Sequence, residues 1–150
     1  MNKKLGVLVL ILIAVVLTGC ASIQKKRVDI KVNPLKEVCI VENKNVKVSD
    51  FLSVLKSGFE KHGISAEVIS NIKDSNCEYT VTYTAKQSWD AALYLSHAEI
   101  NIHKSDILVG VGVFHIAGGA FSFDFANKWK GTKSKIIPVI DELLLEFSEF

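Results

Sequence analysis

Three cysteines, four histidines and two tryptophans are the residues of this 150-residue chain whose chemistry could do more than fill a core. His97 and His103 share strand parity, and a three-residue turn at Lys104-Ser105-Asp106 would set His115 opposite Leu95, diagonal to His97. Diagonal Cβ atoms sit about 7–8 Å apart across a strand pair, which is loose for a two-histidine metal site. No HExxH or Cys/His spacing accompanies them, so the expectation is no metal and no cofactor, with these histidines facing solvent or a partner. His62 falls at a helix end, where an imidazolium complements the dipole. Cys39 and Cys77 each stand at a strand and outside any CxxC pair, so they read as a disulfide, or as two buried thiols, rather than as a nucleophile. Trp89 and Trp129 fall in polar breaks and are the candidates for partner binding, against the plainer reading that they cover a core edge.

The remaining cysteine, Cys20, sits in a different setting. Asn2-Lys3-Lys4 precedes an apolar run, Leu5 to Leu17, of secretory length and too short for the ~20 residues of a spanning helix. Leu17-Thr18-Gly19-Cys20 closes it and resembles a bacterial lipobox. That resemblance implies removal of residues 1–19, thioether lipidation of the Cys20 sulfur and acylation (typically palmitate) of the new amine. Two acyl chains already suffice for stable anchoring, since each buried methylene contributes roughly 0.8 kcal/mol. Ala21 and Ser22 are not acidic retention residues, so the resemblance to sorted lipoproteins implies the outer membrane, facing the periplasm.

The formal charge of +2 loses Lys3 and Lys4 with the signal, leaving equal numbers of basic and acidic side chains. A neutral domain has no broad field with which to bind nucleic acid. Lys25-Lys26-Arg27 is a local exception, a solvated tether or a contact to acidic head groups. Val109-Gly110-Val111-Gly112-Val113 is strand-like rather than a phosphate cradle, and no GxSxG or paired carboxylates occur. The residues therefore predict a domain that is not an enzyme.

Positioning these groups falls to a single fold over residues 36–150, after a lipidated tether of residues 20–35. Val28 to Val32 alternates as an edge strand, and Val38 to Val41 is a buried one. A helix runs from about Asp50 to His62 with Ser49 as N-cap and Gly63 as its stop. Ile64 to Ile69 and Cys77 to Thr84 are strands, and Gln87 to Asp90 breaks the second. Ala92–His103 and Ile107–Ile116 form a hairpin, with Gly110 and Gly112 small where a helix or an aromatic ring approaches. Phe121 to Phe125 alternates as a last strand. The final helix spans Lys135 to Phe147, starting near Ile136 so that Pro138 falls in its first turn. The sum is α+β: a curved antiparallel sheet of about four to six strands with two helices on one face, in the order β-α-β-β-β-β-α.

Val38-Cys39-Ile40-Val41-Glu42-Asn43, Lys61-His62-Gly63-Ile64, Cys77 to Ala85 and Ser88 to Leu95 together resemble a family of small uncharacterised proteobacterial lipoproteins over most of residues 36–150. The resemblance implies lipidation and fold, and carries no activity. The element order is also similar to small envelope domains such as the curli-secretion lipoprotein and the N-terminal domain of TolB, a likeness that licenses no function. The expectation is a lipid-anchored binding or scaffold module with an envelope protein as partner, met at a sheet edge (Phe121–Phe125 or Val28–Val32). The alternative is a carrier of a small ligand or lipid between sheet and helices.

Overall fold

A computed structural model of the chain describes residues 25–74, 76–116 and 128–145. Cys20 and the expected strand at Phe121–Phe125 lie outside the described residues. Among the described residues five strands form one sheet: β1 (Glu37–Val41), β2 (Ser65–Ile69), β3 (Tyr79–Asp90), β4 (Ala92–Lys104) and β5 (Ile107–His115), in the spatial order β2-β1-β3-β4-β5. Helix α1 (Phe51–Lys61) lies between β1 and β2 in sequence, and α2 (Thr132–Leu143) follows β5. The α+β class and the β-α-β-β-β-β-α order are as expected. The sheet is mixed rather than wholly antiparallel, because β1 pairs parallel with both β2 and β3, and only β3-β4-β5 is an antiparallel meander. The reason is the crossover: α1 carries the chain back along the sheet, so the next strand starts at the same end as the last.

Alternation places Val38, Ile40, Tyr79, Val81, Tyr83, Ala98, Ile100 and Ile102 in one buried cluster with Phe51, Leu55 and Phe59 of α1 and Ile136, Ile140 and Leu143 of α2. Both helices pack on this cluster and on each other, so a Cβ on Gly58 of α1 would lie 2.3 Å from Ile140 Cδ1. The helices run in the same direction and are tied at both ends. At their starts, the Thr132 hydroxyl donates to the Asp50 carboxylate at 2.8 Å. Asp50, not Ser49, is thus the residue flanking α1, and its side chain serves the neighbouring helix rather than capping its own. At their far ends, Lys61 donates to both Asp141 oxygens at 2.9 and 2.8 Å, and His62 Nε2 donates to Oδ1 at 2.7 Å. Gly63 stops α1 as expected, with φ of 73° and its N–H on the Glu60 carbonyl.

The Asp141 carboxyl is held below its ordinary range, chiefly by the Lys61 ammonium and further by His62, against partial desolvation. A carboxylate lowered in the folded state contributes stability above its unfolded pKa and loses it as pH falls through the folded one. Its side chain is 34% exposed, so screening keeps the contribution below about 1 kcal/mol. Asp141→Asn is therefore expected to lower the urea midpoint slightly at pH 7 and to leave it unchanged well below pH 3, where both chains carry a neutral group.

Three local expectations are corrected. Pro138 lies inside α2, which begins at Thr132. A proline there removes one intrahelical bond, which leaves the turn before it in place, anchored by the buried Thr132 and Lys135. The polar break at Gln87–Asp90 is instead the end of β3, which continues to Asp90 past a bulge between Lys86 and Gln87 and reverses at Ala91 with φ of 58°. Val28–Val32 is not an edge strand. Asp29 Oδ1 accepts from the N–H of Lys31 and Val32, and the chain turns over residues 30–32.

Just before that turn, the N-terminal segment docks on β5. Lys26 and Val111 exchange backbone hydrogen bonds of 3.0 and 2.7 Å, and Val28 is buried against Gly110, where a Cβ would lie 2.5 Å from Val28 Cγ2 and 3.2 Å from Leu143 Cδ1. Gly112 meets Val139 of α2 in the same way, so both strand glycines mark the close approach that their spacing predicts. Gly110→Ala is expected to cost about 1–3 kcal/mol through overpacking and to free residues 25–28. Trypsin should then cut at Lys25-Lys26-Arg27 faster than in the parent chain.

Candidate functional site

Cys39 of β1 and Cys77, just before β3, form a disulfide with Cα atoms 6.0 Å apart. The pairing braces β1 to the start of β3, with Cys39 fully buried and Cys77 half-buried. The histidines do not converge on a ligand site. A two-residue turn, Ser105-Asp106, joins Lys104 to Ile107, and β5 bulges near His103. Together these bring His115 directly opposite His97, ring centroids 5.6 Å apart, rather than diagonal to it. The two-residue turn sets the register because both its residues have positive φ, as such hairpins require. Among the described residues no three His, Cys, Asp or Glu side chains gather where a metal would sit. The sheet face carrying His97, Glu99, Asn101 and His103 is a shallow groove of about 470 Å³ beside Lys26 and Val111.

The two tryptophans, by contrast, come to one end of the domain. β3 and β4 outrun their neighbours: β1 pairs with β3 only near Thr80 and Val81, and β5 reaches no further along β4 than His97. Among the described residues the hairpin end, Gln87–Asp90 against Ala92–Leu95, therefore forms a two-stranded arm. Trp89 and Leu93 are direct cross-strand partners near its tip, 73% and 63% exposed. Behind them the arm is stiffened. Tyr94 packs edge-on against Trp129 at 5.9 Å between ring centroids. Lys128 Nζ is 4.7 Å from the Tyr94 ring and 5.4 Å from the Trp129 ring while it pairs with the Asp90 carboxylate. At the bulge, Ser88 Oγ donates to Ser96 Oγ, which donates to the Lys86 carbonyl.

Lys135 anchors the base of the arm. Its ammonium donates to the carbonyls of Leu95 at 3.0 Å and Lys128 at 2.8 Å, and lies within 6 Å of the Tyr94 and Phe114 rings. Burial alone lowers its pKa, and these carbonyls and ring faces are what hold the cation. Between the arm and the starts of both helices runs a crevice of about 350 Å³ that includes Lys47, Asp50, Tyr94, Trp129 and Lys130.

The sequence reading identified Trp89 and Trp129 but not Leu93, Tyr94, Lys128 or Lys135. The Trp89-Asp90-Ala91-Ala92-Leu93 run holds the missing signal: two large apolar residues two steps either side of Ala91, the spacing of a tight hairpin. The bulge hides it by shifting the strand's alternation out of phase. Nothing in a local pattern marks Lys135 as buried, since its partners come from β4 and the loop before α2.

Among solved structures the chain is similar to a PelC dodecamer from Paraburkholderia phytofirmans, with a TM-score of 0.50 and 13% identity over 74% of this chain and 90% of that one. A single-residue variant of that dodecamer gives a TM-score of 0.51 and 11% identity over 82% of this chain and 96% of the other. At such identities the likeness is one of fold. No protein-family model matches the chain, and no curated protein matches it.

Proposed function

We propose that the chain is a lipid-anchored domain of the bacterial cell envelope, held through Cys20 to the outer membrane on its periplasmic side, and that it works as a non-catalytic scaffold. Residues 1–19 are its signal, and the tether expected over residues 20–35 ends where Lys26 pairs with Val111, since Val28 and Leu35 belong to the core. The observation that carries the reading is the fold likeness, which spans at least 74% of this chain and belongs to a protein solved as a dodecamer. The envelope partner of first choice is accordingly another copy of the chain. Two further observations support it: the lipobox-like Leu17-Thr18-Gly19-Cys20, and a Cys39–Cys77 disulfide of the kind that persists in oxidising compartments. Packing is tight between the helices at Gly58 and between α2 and the sheet at Gly110 and Gly112, which favours binding at the surface over carriage of a ligand inside.

The test is native mass spectrometry of the full chain extracted from membranes in mild detergent. A multiple of the lipidated chain mass is the expected result. A monomer throughout the micromolar range, with no second envelope protein trapped by crosslinkers placed along β2 or the Trp89 arm, would overturn the scaffold reading.

A further inference from the structure

The direction in which the N-terminal segment leaves the domain bears on the exposed arm. Lys26 pairs antiparallel with Val111, so the chain traced back from Lys26 heads along β5 toward His115, the end at which the arm lies. Cys20 is six positions before Lys26 and lies at most roughly 20 Å from it when fully extended. From Asn101, the partner of Val111, β4 runs eight residues in that same direction to Leu93, about 26 Å at ~3.3 Å per residue. A lipid on Cys20 is thus bound by chain length to stay within roughly 20 Å of Lys26, and the arm tip lies about 26 Å along the sheet from the same register.

The chemistry of that end suits a bilayer surface. Trp89 and Leu93 offer an exposed apolar pair on a braced hairpin, and tryptophan favours the headgroup level, where the ring is half apolar and its N–H stays wet. Lys47 and Lys130 are exposed around the same crevice. Asp90 is neutralised by Lys128, and Asp50 accepts from the Thr132 hydroxyl while keeping its charge, so that among the described residues Lys47 and Lys130 outnumber the one unneutralised carboxylate. The balance left is cationic, complementary to anionic headgroups.

We propose that the Trp89–Leu93 tip seats in the interfacial layer of the same membrane that holds the Cys20 lipid. This rests on the anchor reading given above. A single lipid anchor leaves the orientation of the domain open; a second, rigid contact fixes which face it turns to the periplasm.

The chain has two tryptophans, so Trp129→Phe leaves Trp89 as the sole indole. The lipidated full chain carrying it is reconstituted in phosphatidylethanolamine–phosphatidylglycerol vesicles. The expected result is a blue-shifted emission, lost when the lipids carry brominated acyl chains and little affected by aqueous iodide. The reciprocal Trp89→Phe chain should lack that component, which keeps the test standing should Trp129→Phe unfold. Emission quenched by iodide and not by bromolipid overturns the proposal. So does shielding from both quenchers combined with an oligomer that dissociates on Trp89→Ser/Leu93→Ser, which would make the tip a contact between copies. Mass spectrometry of the same sample reads lipid on Cys20 separately: an unmodified thiol overturns the anchor reading, while the quenching still decides where the tip sits.

Discussion

Replacing both Cys39 and Cys77 by alanine is expected to lower the unfolding free energy by about 4 kcal/mol, with a drop on the order of 15–25 °C in Tm for a domain this size. The estimate comes from chain entropy. The bond joins residues 38 apart in sequence, and the loop it closes contains α1, β2 and the 3-10 turn at Ile72–Asp74. It acts where the sheet is least continuous. β1 meets β3 only over Cys39–Thr80 and Ile40–Val81, whereas β3 and β4 pair along their whole length. The seam between the parallel and antiparallel halves is therefore short in hydrogen bonds and covalently closed beside them. Urea denaturation of the double variant, and of the parent with and without reductant, checks this. A loss below about 1 kcal/mol would mean that the crossover is already ordered in the unfolded ensemble and that the bond restrains little.

Truncating Phe51 to alanine should cost about 3–5 kcal/mol, comparable to losing the disulfide. Phe51 is the first residue of α1, fully buried, and its ring stacks on Tyr83 of β3 with centroids 5.2 Å apart and planes 23° from parallel. Tyr83 is itself fixed from the far side. Its hydroxyl accepts from the Asn43 N–H and its carbonyl from the Asn43 amide, at 3.2 and 2.8 Å. A neighbour held this firmly cannot collapse into the space, so the cavity term is paid nearly in full. Leu52, one residue on and only half-buried, is the internal control, with an expected loss near 1 kcal/mol on truncation to alanine. Equal effects at Leu52 and Phe51 would contradict the packing described.

The elements themselves were largely readable in one dimension. The 3.6-residue spacing of Phe51, Leu55 and Phe59, and of Ile136, Ile140 and Leu143, marks two helices by their buried stripes. Gly63 marks the stop of α1, because a left-handed residue there suits glycine best. The alternation of Tyr79, Val81 and Tyr83 marks a half-buried strand, and Gly110 and Gly112 announce a close neighbour without saying which. In each case the cause is local: burial on one face imposes a period, and backbone conformation selects a residue.

What could not be read were the quantities that depend on partners distant in sequence. A helix placed between two strands makes them parallel neighbours only once it folds back over the sheet, so the mixed sheet is a property of the crossover rather than of any segment. Pairing register follows bulges and turn length: a shorter turn and a bulge in β5 together bring His115 opposite His97, and a bulge in the β3–β4 pairing lets β3 continue through Trp89. Asp50 looks like an ordinary helix-start residue until Thr132 takes its carboxylate, and Lys135 looks like a solvated lysine until two carbonyls and two rings enclose it. The same holds for the pair that opened the question of function. Cys39 and Cys77 suggest a bond by their number and setting, but the 6.0 Å between their Cα atoms is set by β1 lying beside β3. The exposed Trp89–Leu93 tip and the docking of Lys26 on Val111 are likewise relations between strands, fixed by hydrogen bonding across the sheet and absent from either stretch alone.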